Sequence, residues 1–575
     1  VNLQSIINSL VSDTVNTSLP LFKPELVLCV TIVVMLLFRV LPLLDKVPPF
    51  LLALVGSVVA LWSSLPLEGL STWANLERQE LFTGMLVYDS VTAYMKVFLM
   101  SFAVLFVVLS RLTGIADRED GQDYYSLVFG SIVGMCLMAS SNHMLTLFLG
   151  IEMASVPSYV LAGIVKGRQR SSEAALKYCI YGAGTAGVML YGISLLSGVL
   201  GSAHIPTMAQ RLVEMDIPAS LAAGEGVEPL IVLVLGGLMM GVGLAFKLSA
   251  IPFHFWCPDV FEGASAEVDG FLSVASKAAA LALLLRVGLG LGYSPEAELA
   301  AVENRTEVTA IASAAEQATP PTIRLVADGV ADELGEEAPG EISSPLTPIR
   351  KFFVTVVALI AIVTCTFGNL AAYGQTNIKR MLAYSTIAHA GFMMMPVAAA
   401  VSLAGHSTAE ASDAVSAMLF YVAIYLFMNL GAFAIIAFLR NSMQSEEISD
   451  YAGLINKAPW LAVCMTVILF SLVGLPPLAG FWPKLRVLQA LLAAGGPLLI
   501  AVLVTAALNT AISLVYYLRV AKTICIDSEP DTSRPVAIGF FPWAYVLVIT
   551  LPVLIFGLLP NGIAAWAKQA ADNLF

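Results

Sequence analysis

The sequence predicts an all-α polytopic membrane protein with about 14 transmembrane helices, two inverted five-helix repeats and discontinuous helices. Three observations carry that prediction. The composition is 58% hydrophobic and 12% charged, with a mean hydropathy of +0.84; an ordinary soluble domain is roughly 45–50% apolar and about 25% charged. Apolar runs of about 20 residues, the length of one bilayer-crossing helix, recur along the whole 575-residue chain. A lysine beside a proline break occurs twice, as Lys247 with Pro252 and as Lys484 with Pro477. This composition excludes a soluble globular enzyme and a disordered scaffold.

Taken in order, the runs lie at 21–41, 47–66, 86–110, 124–141, 143–165, 173–200, 229–258, 267–292, 351–374, 379–400, 414–439, 457–495, 497–521 and 538–565. The run 457–495 is interrupted by Gly474-Leu475-Pro476-Pro477 and reads as one broken span. Run length argues for helices, since barrel strands would alternate over about ten residues. In lipid, each segment must also satisfy its own backbone. The organisation that follows is 1–123 as N-terminal helices, 124–292 as a first five-helix repeat, 293–348 as an insertion, 349–521 as a second repeat and 522–575 as a C-terminal helix. An odd number of spans per repeat inverts the second relative to the first. Each repeat then carries its interrupted, lysine-bearing helix in the fourth position, the pattern of ion-translocating bundles.

The insertion 293–348 holds eleven acidic residues against Arg305 and Arg324, and so accounts for most of the net charge of −12. The remainder is near neutral, without the basic patch that nucleic-acid binding requires. With six prolines and few large apolar residues, the insertion reads as a loop or loosely ordered hairpin. Stretches 71–85 and 204–222 are amphipathic and read as membrane-surface segments or simple loops. Loops containing Lys46, Arg111, Arg168, Arg170, Lys379, Arg380, Arg440 and Lys457 carry the greater share of Lys and Arg, which puts them in the cytoplasm. Both termini and the insertion then face outward. The first residues show no basic stretch followed by an apolar core, so no cleaved signal peptide is expected.

Five charges lie well inside apolar runs: Glu152, Lys177, Lys247, Lys277 and Lys484. Each costs about 2.5–3.5 kcal/mol at a helix centre, so they must pair, meet water or face the bundle interior. A lysine responds to burial in one direction and to a nearby carboxylate in the other, which suits a group that loads and releases a proton. His254 and His389 titrate near neutrality and extend the candidate relay, with a buried core histidine as the alternative for each. Arg39, Arg286 and Arg486 read as snorkelling or packing-level charges. Lys96 and Asp89, seven residues apart on one helix face, read equally as a structural pair or as functional charges.

Other chemistry is not indicated. The seven cysteines form no CxxC and read as small packing residues rather than cluster ligands. Gly182-Ala-Gly-Thr-Ala-Gly187 matches the dinucleotide fingerprint, but it lies within an apolar helix. Close helix approach explains it better than a nucleotide. No HExxH, P-loop or nucleophile-elbow motif is present, so no NADH, ATP or metal site is expected in this chain.

The blocks LFLGIEMASVPSYVLAGI (147–164), SSEAALKYCIYGA (171–183), GLAFKLSAIPFHFWCPDVFEGA (243–264), FLSVASKAAALALLLR (271–286), GNLAAYGQTNIKRMLAYSTIAHAGF (368–392) and FYVAIYLFMNLGAFA (420–434) closely resemble the subunit N family of NADH-quinone oxidoreductase. These are antiporter-like membrane subunits of respiratory complex I, similar to mitochondrial subunit 2. The resemblance covers roughly 85–575 apart from the insertion. It implies fourteen helices in two inverted repeats and proton translocation coupled to electron transfer in other subunits. It further implies that Glu152 pairs with Lys177 and Lys247 in one half-channel, with Lys277 as central relay and Lys484 as exit-side relay. No cofactor is implied for this chain; FMN, iron–sulfur clusters and quinone belong to partner subunits. The implied partners are M-type and small K-, J- and A-type membrane subunits, in a bacterial inner membrane. Two departures stand out: a proline precedes the lysine in GFWPKLRVL, and the 293–348 insertion has no family role. A subunit of a multi-subunit cation/proton antiporter and a non-conducting membrane spacer are the alternative readings.

Overall fold

The computed structural model describes residues 3–41, 46–65, 76–116, 120–215, 217, 227–294, 344–529, 536 and 538–575. Residues 295–343 of the acidic insertion, and parts of the amphipathic stretches 71–85 and 204–222, lie outside the described residues.

The chain opens with α1 (Leu3–Ser12), which runs on helically to Leu21 and meets α2 (Lys23–Val40) at a bend of 84°. Pro24 in the first turn of α2 needs no amide hydrogen there. There follow α3 (Pro49–Ser64), a hairpin of β1 (Gln79–Leu81) and β2 (Leu86–Tyr88), α4 (Ser90–Thr113), α5 (Gly121–Ala139), α6 (Met144–Ala162), α7 (Gln169–Leu200) and α8 (Ile205–Glu214). The first broken segment is α9 (Val227–Leu248) with α10 (Trp256–Gly263), followed by α11 (Ala266–Gly292). Beyond the insertion come α12 (Thr347–Ala372), α13 (Ile378–Leu403) and α14 (Thr408–Met443). The second broken segment is α15 (Pro459–Val473) with α16 (Phe481–Ala494), and the chain closes with α17 (Gly496–Cys525), α18 (Phe540–Leu558) and α19 (Asn561–Asp572).

Among the described residues, ten helices, or eleven counting the bent pair, are long and apolar enough to cross a membrane. The fourteen expected crossings are reached only by adding α3, α5 and the broken α15–α16, each shorter or less apolar than the rest. In α11, α13 and α14, 89–94% of the apolar window is buried, against 28% in α7 and α17. The three former helices therefore form the spine of the bundle, and the two latter turn broad faces outward from it.

Both breaks fall where the Pro-containing motifs predict them. Helix α9 ends at Leu248, and Ser249 then takes a positive φ of 57°. Helix α15 ends at Val473, and Gly474 closes it in the left-handed region at φ 89°, where a Cβ is disfavoured. Gly480 lets the second break fold tightly: a Cβ there would sit 1.9 Å from the Ser471 carbonyl oxygen.

Three stretches differ from the sequence expectation. The described part of 71–85 contains a strand of a hairpin, which is anchored by Val87 N–H donating to the Ser140 carbonyl (2.8 Å). The described part of 204–222 forms α8, which buries Ile205, Met208, Ala209 and Leu212 against the bundle. The last apolar run stops at Leu558, because Pro560 starts the separate helix α19.

Two cavities gather the loops at opposite ends. One, of about 520 Å³, lies among Gly114, Val165, Arg168, Asn377, Arg440 and Glu446. The other, of about 300 Å³, lies among Arg78, Asn142, Pro206, Arg286, Tyr293 and Phe575. Arg168, Arg170 and Arg440, assigned to one side by their charge, do share an end.

Candidate functional site

A helix that stops inside the bundle leaves its last carbonyl groups without intrahelical partners. At both breaks a lysine supplies the missing donor. Lys277 Nζ, on α11, donates to the Leu248 carbonyl at the end of α9 (3.0 Å). Lys484 Nζ, on α16, donates to the carbonyls of Leu472 (3.0 Å) and Val473 (2.8 Å) at the end of α15. It also lies 4.9 Å from the centre of the Phe392 ring, a cation–π contact. The positive side chain sits at the negative end of a helix in each case.

Lys247 lies on the broken helix itself and points back to α6. Its ammonium donates to Ser155 Oγ (3.0 Å), whose hydroxyl donates to the Ile151 carbonyl (2.6 Å). Glu152, half-buried one turn before Ser155, makes no ion pair with Lys247, though its field reaches that ammonium. Lys247 and Lys277 are each 1% exposed and Lys484 is 6% exposed, so none of the three snorkels to an interface.

His389, on α13, stands between the halves. Lys277 and Lys484 are the charged side chains whose fields reach it. Its Nδ1 shares a hydrogen bond with the Tyr421 hydroxyl (2.8 Å) and its Nε2 with the Tyr517 hydroxyl (3.2 Å), and Tyr517 is in turn bonded to Ser385. Lys247, Lys277, His389 and Lys484 thus form a buried set from α9 to α16, with the half-buried Glu152 beside it on α6.

Two candidate residues fall outside it. Lys177 does not reach Glu152. It is partly exposed and pairs with Glu173 (2.9 Å) and Asp259 (2.7 Å). The break at Pro252 swings α10 against α7 and so brings a carboxylate 82 positions away to this lysine. Asp259 and Glu262 also hold Arg380 (3.0 and 2.6 Å), and Arg170 reaches Glu262 (3.4 Å). Lys177 therefore belongs to an ion network that ties α7, α10 and α13 together. His254 is buried but packs its ring against Phe255 and Phe367, at 4.4 and 4.8 Å between ring centres. Among the described residues it makes no hydrogen bond to the five charged side chains.

The N-terminal charges also pair differently. Lys96 binds Glu25 of α2 (2.8 Å), not Asp89. Asp89 caps α4 through Thr92 N–H (2.9 Å) and receives both terminal nitrogens of Arg286, which also donates to the Ala139 carbonyl (3.0 Å). Arg286 is thus a buried structural cation rather than a snorkelling one.

One cluster escaped the sequence reading altogether. Lys379, assigned to a loop, is fully buried between Glu446 (3.1 Å) and Asp269 (3.7 Å) and donates to the Ala264 carbonyl (2.6 Å). Arg440, also assigned to a loop, is mostly buried 3.6 Å from the fully buried Glu267. The available signal was Glu267 and Asp269, two acids opening an apolar run.

Comparison with known proteins gives a consistent picture. The family model described as "NADH:quinone oxidoreductase/Mrp antiporter, TM" matches residues 141–302 and 320–510. NADH-quinone oxidoreductase subunit N 2 of Sorangium cellulosum is 36% identical over 541 residues, covering 91% of this chain and 92% of its own length. Subunit N of Chlorobium chlorochromatii is 34% identical, covering 99% and 97%. Among solved structures, a chain of respiratory complex I from Thermus thermophilus with bound Aureothin aligns at a TM-score of 0.66 and 28% identity, covering 94% of this chain and 98% of that one. A chain of the Mrp complex from Dietzia sp. aligns at 0.67 with 17% identity, covering 97% and 96%, and shares the fold.

Proposed function

The chain belongs to the NADH:quinone oxidoreductase/Mrp antiporter transmembrane family, as a complex I subunit N homologue, and from that premise we propose that it carries protons along the succession Glu152, Lys247, Lys277, His389 and Lys484. The observation that carries the proposal is the placement of three buried lysines, two of them on the open carbonyl ends of broken helices, with a histidine between them. Lysine at such a place holds its proton through fixed dipoles, and its protonation answers to neighbouring charge. Water can reach unwound backbone at membrane depth, so the breaks are also where a hydrated path has room.

In this reading, residues 124–292 and 349–521 are two inverted units, each contributing one broken helix and one half of the path. Electron transfer takes place in other subunits, where FMN, iron–sulfur clusters and quinone are held. Their change of charge or shape shifts protonation at Glu152 and Lys247 and passes from there to Lys277, His389 and Lys484. The neighbours are other membrane subunits, of the antiporter-like M type and the small K, J and A types. Both termini face the outer side of a bacterial inner membrane, and the end bearing Arg168, Arg170 and Arg440 faces the cytoplasm, in keeping with the positive-inside rule.

The test is Lys247→Ala in the assembled complex, reconstituted in vesicles. NADH:ferricyanide reduction reports intact electron input, and quenching of a pH-sensitive dye reports proton movement on NADH:quinone turnover. Lost or sharply reduced proton movement with normal ferricyanide reduction is expected. Unchanged proton movement in an assembled Lys247→Ala complex overturns the assignment.

A further inference from the structure

The buried cluster beside the 520 Å³ cavity is not part of the lysine succession, yet it is built like an entrance to it. Three carboxylates and two cations meet there from four elements: Glu267 and Asp269 on α11, Lys379 on α13, Arg440 on α14 and Glu446 in the segment after it. Glu267, Asp269 and Lys379 are fully buried, and Glu446 is 11% exposed. The charged groups whose fields reach Asp269 are Lys379, Glu446, Glu267 and Arg440. If every member were ionised, the cluster would carry one uncompensated negative charge in a buried place, which is costly. One added proton balances it.

The hydrogen bonding agrees. Neither carboxylate oxygen of Asp269 or Glu267 has a hydrogen-bond partner among the described residues, although buried polar atoms are nearly always partnered. Asp269 Oδ2 stands 3.7 Å from Lys379 Nζ, too far for a hydrogen bond. Lys379 spends its proton donors on the Ala264 carbonyl, with Glu446 close by. Lys379 also sits in the first turn of α13, where a helix disfavours a cation, so its place there is set by the carboxylates and not by the helix. Glu446 and Arg440 line the cavity directly. The cluster has an open side toward solvent and unused acceptors on its inner side.

The inner side leads to Lys277. Asp269, Ser273 and Lys277 follow one another at four-residue steps on α11, so they share a helix face. All three are buried. The fields of both Asp269 and Lys277 reach Cys257 of α10, in keeping with the two ends of this ladder lying on the α10 side of the helix.

We propose that Asp269, with Lys379 and Glu446, is a second protonation site that takes protons from the cavity and delivers them to Lys277 by way of Ser273. The inference rests on the proton-carrying reading of the lysines. In each cycle one proton passes from solvent in the cavity through Glu446 to the Asp269 carboxylate. It then moves through the Ser273 hydroxyl to the neutral Lys277 amine, and Asp269 returns to its carboxylate. No other bond is made or broken.

The experiment uses the assembled complex in vesicles, with Asp269→Asn, which keeps the shape and removes the exchangeable charge. NADH:ferricyanide reduction normalises the amount of complex. The initial rate of proton movement should fall on the order of tenfold, within the range of a lost proton-transfer group, and Asp269→Glu should restore part of it. A carboxylic C=O band in the infrared difference spectrum should vanish in Asp269→Asn. If Asp269→Asn moves protons at the normal rate while Lys277→Arg does not, the cluster is a structural clasp and this inference is overturned. If both move protons normally, the lysine reading itself fails. Proton movement that depends on sodium and loses that dependence in Asp269→Asn overturns the proton in favour of a bound cation. Where Asp269→Asn does not assemble, Ser273→Ala decides: slowed movement supports the ladder, and a normal rate overturns it.

Discussion

The ammonium of Lys277 donates to the carbonyl oxygen of Leu248 at 3.0 Å, joining the middle of one buried helix to the severed end of another. The same relation recurs where Lys484 meets Leu472 and Val473. Each lysine is held by fixed dipoles, not by a carboxylate that would keep it charged. A side chain held this way retains its hydrogen-bond acceptor whether or not it carries the extra proton.

That arrangement separates charge from exchange. Lys277→Arg keeps a positive donor beside Leu248, but a guanidinium does not give up its proton in a protein. The assembled variant is expected to oxidise NADH with ferricyanide normally and to lose proton movement in vesicles. Proton movement equal to that of the native complex would mean that Lys277 serves only as a charge.

Lys484→Met removes the donor for two carbonyls and fills the space with a side chain of similar length. Leaving buried acceptors unpaired costs about 1–3 kcal/mol each. The variant complex should show a lowered thermal midpoint together with lost proton movement, and amide exchange at residues 470–474 should rise. A midpoint and exchange pattern like the native complex would show that the break does not rely on Lys484.

The pair Asp89–Arg286 gives a contrast from outside the path. Arg286 gives both terminal nitrogens to Asp89 and another bond to Thr92 (2.7 Å), binding α4 to α11. Arg286→Met strands a buried carboxylate, which costs about 3–5 kcal/mol. Reduced assembly is expected, with normal proton movement per assembled complex. Normal assembly with slowed proton movement would instead put Arg286 on the path.

His143 provides a pH signature at the end of the bundle that bears His204. Its Nδ1 accepts from Leu145 N–H (3.1 Å) and so caps α6, a role that requires the neutral ring. Partial burial, and then the nearby His204, hold its pKa below the usual 6.5. A base with a lowered folded pKa stabilises the fold above its unfolded pKa and loses that contribution as pH falls through the folded one. Amide protection factors at residues 145–148 should therefore fall as pH drops below about 6.5, and His143→Asn, which caps without titrating, should abolish that dependence. Protection factors that stay flat with pH in the native chain would sink the assignment.

The buried lysines were legible in the sequence because a lone charge inside an apolar run has few explanations, and the broken helices because proline and glycine mark them by their own geometry. Lys379 was not legible. It neighbours Asn377 and Arg380 at the polar edge of a run, where an exposed loop charge is the ordinary case, and only the folding of α11 and α14 over it makes it buried. Glu267 and Asp269 were hidden by a similar ambiguity, since acids are common in a first helical turn. The partner of Lys177 depended on where α10 swings after Pro252, and nothing local to Lys177 encodes that. His389 was a candidate in the sequence, but its tyrosine partners were not, because they come from α14 and α17.

The two severed helix ends have a mechanical consequence. Because the grip on each ammonium is a matter of direction and distance to one or two peptide groups, a small tilt of α9 or α15 retunes how firmly that proton is kept. Displacement arriving from a neighbouring subunit would be converted into a change of basicity at the core, and the interrupted helices would then act as strain gauges wired to a chemical output.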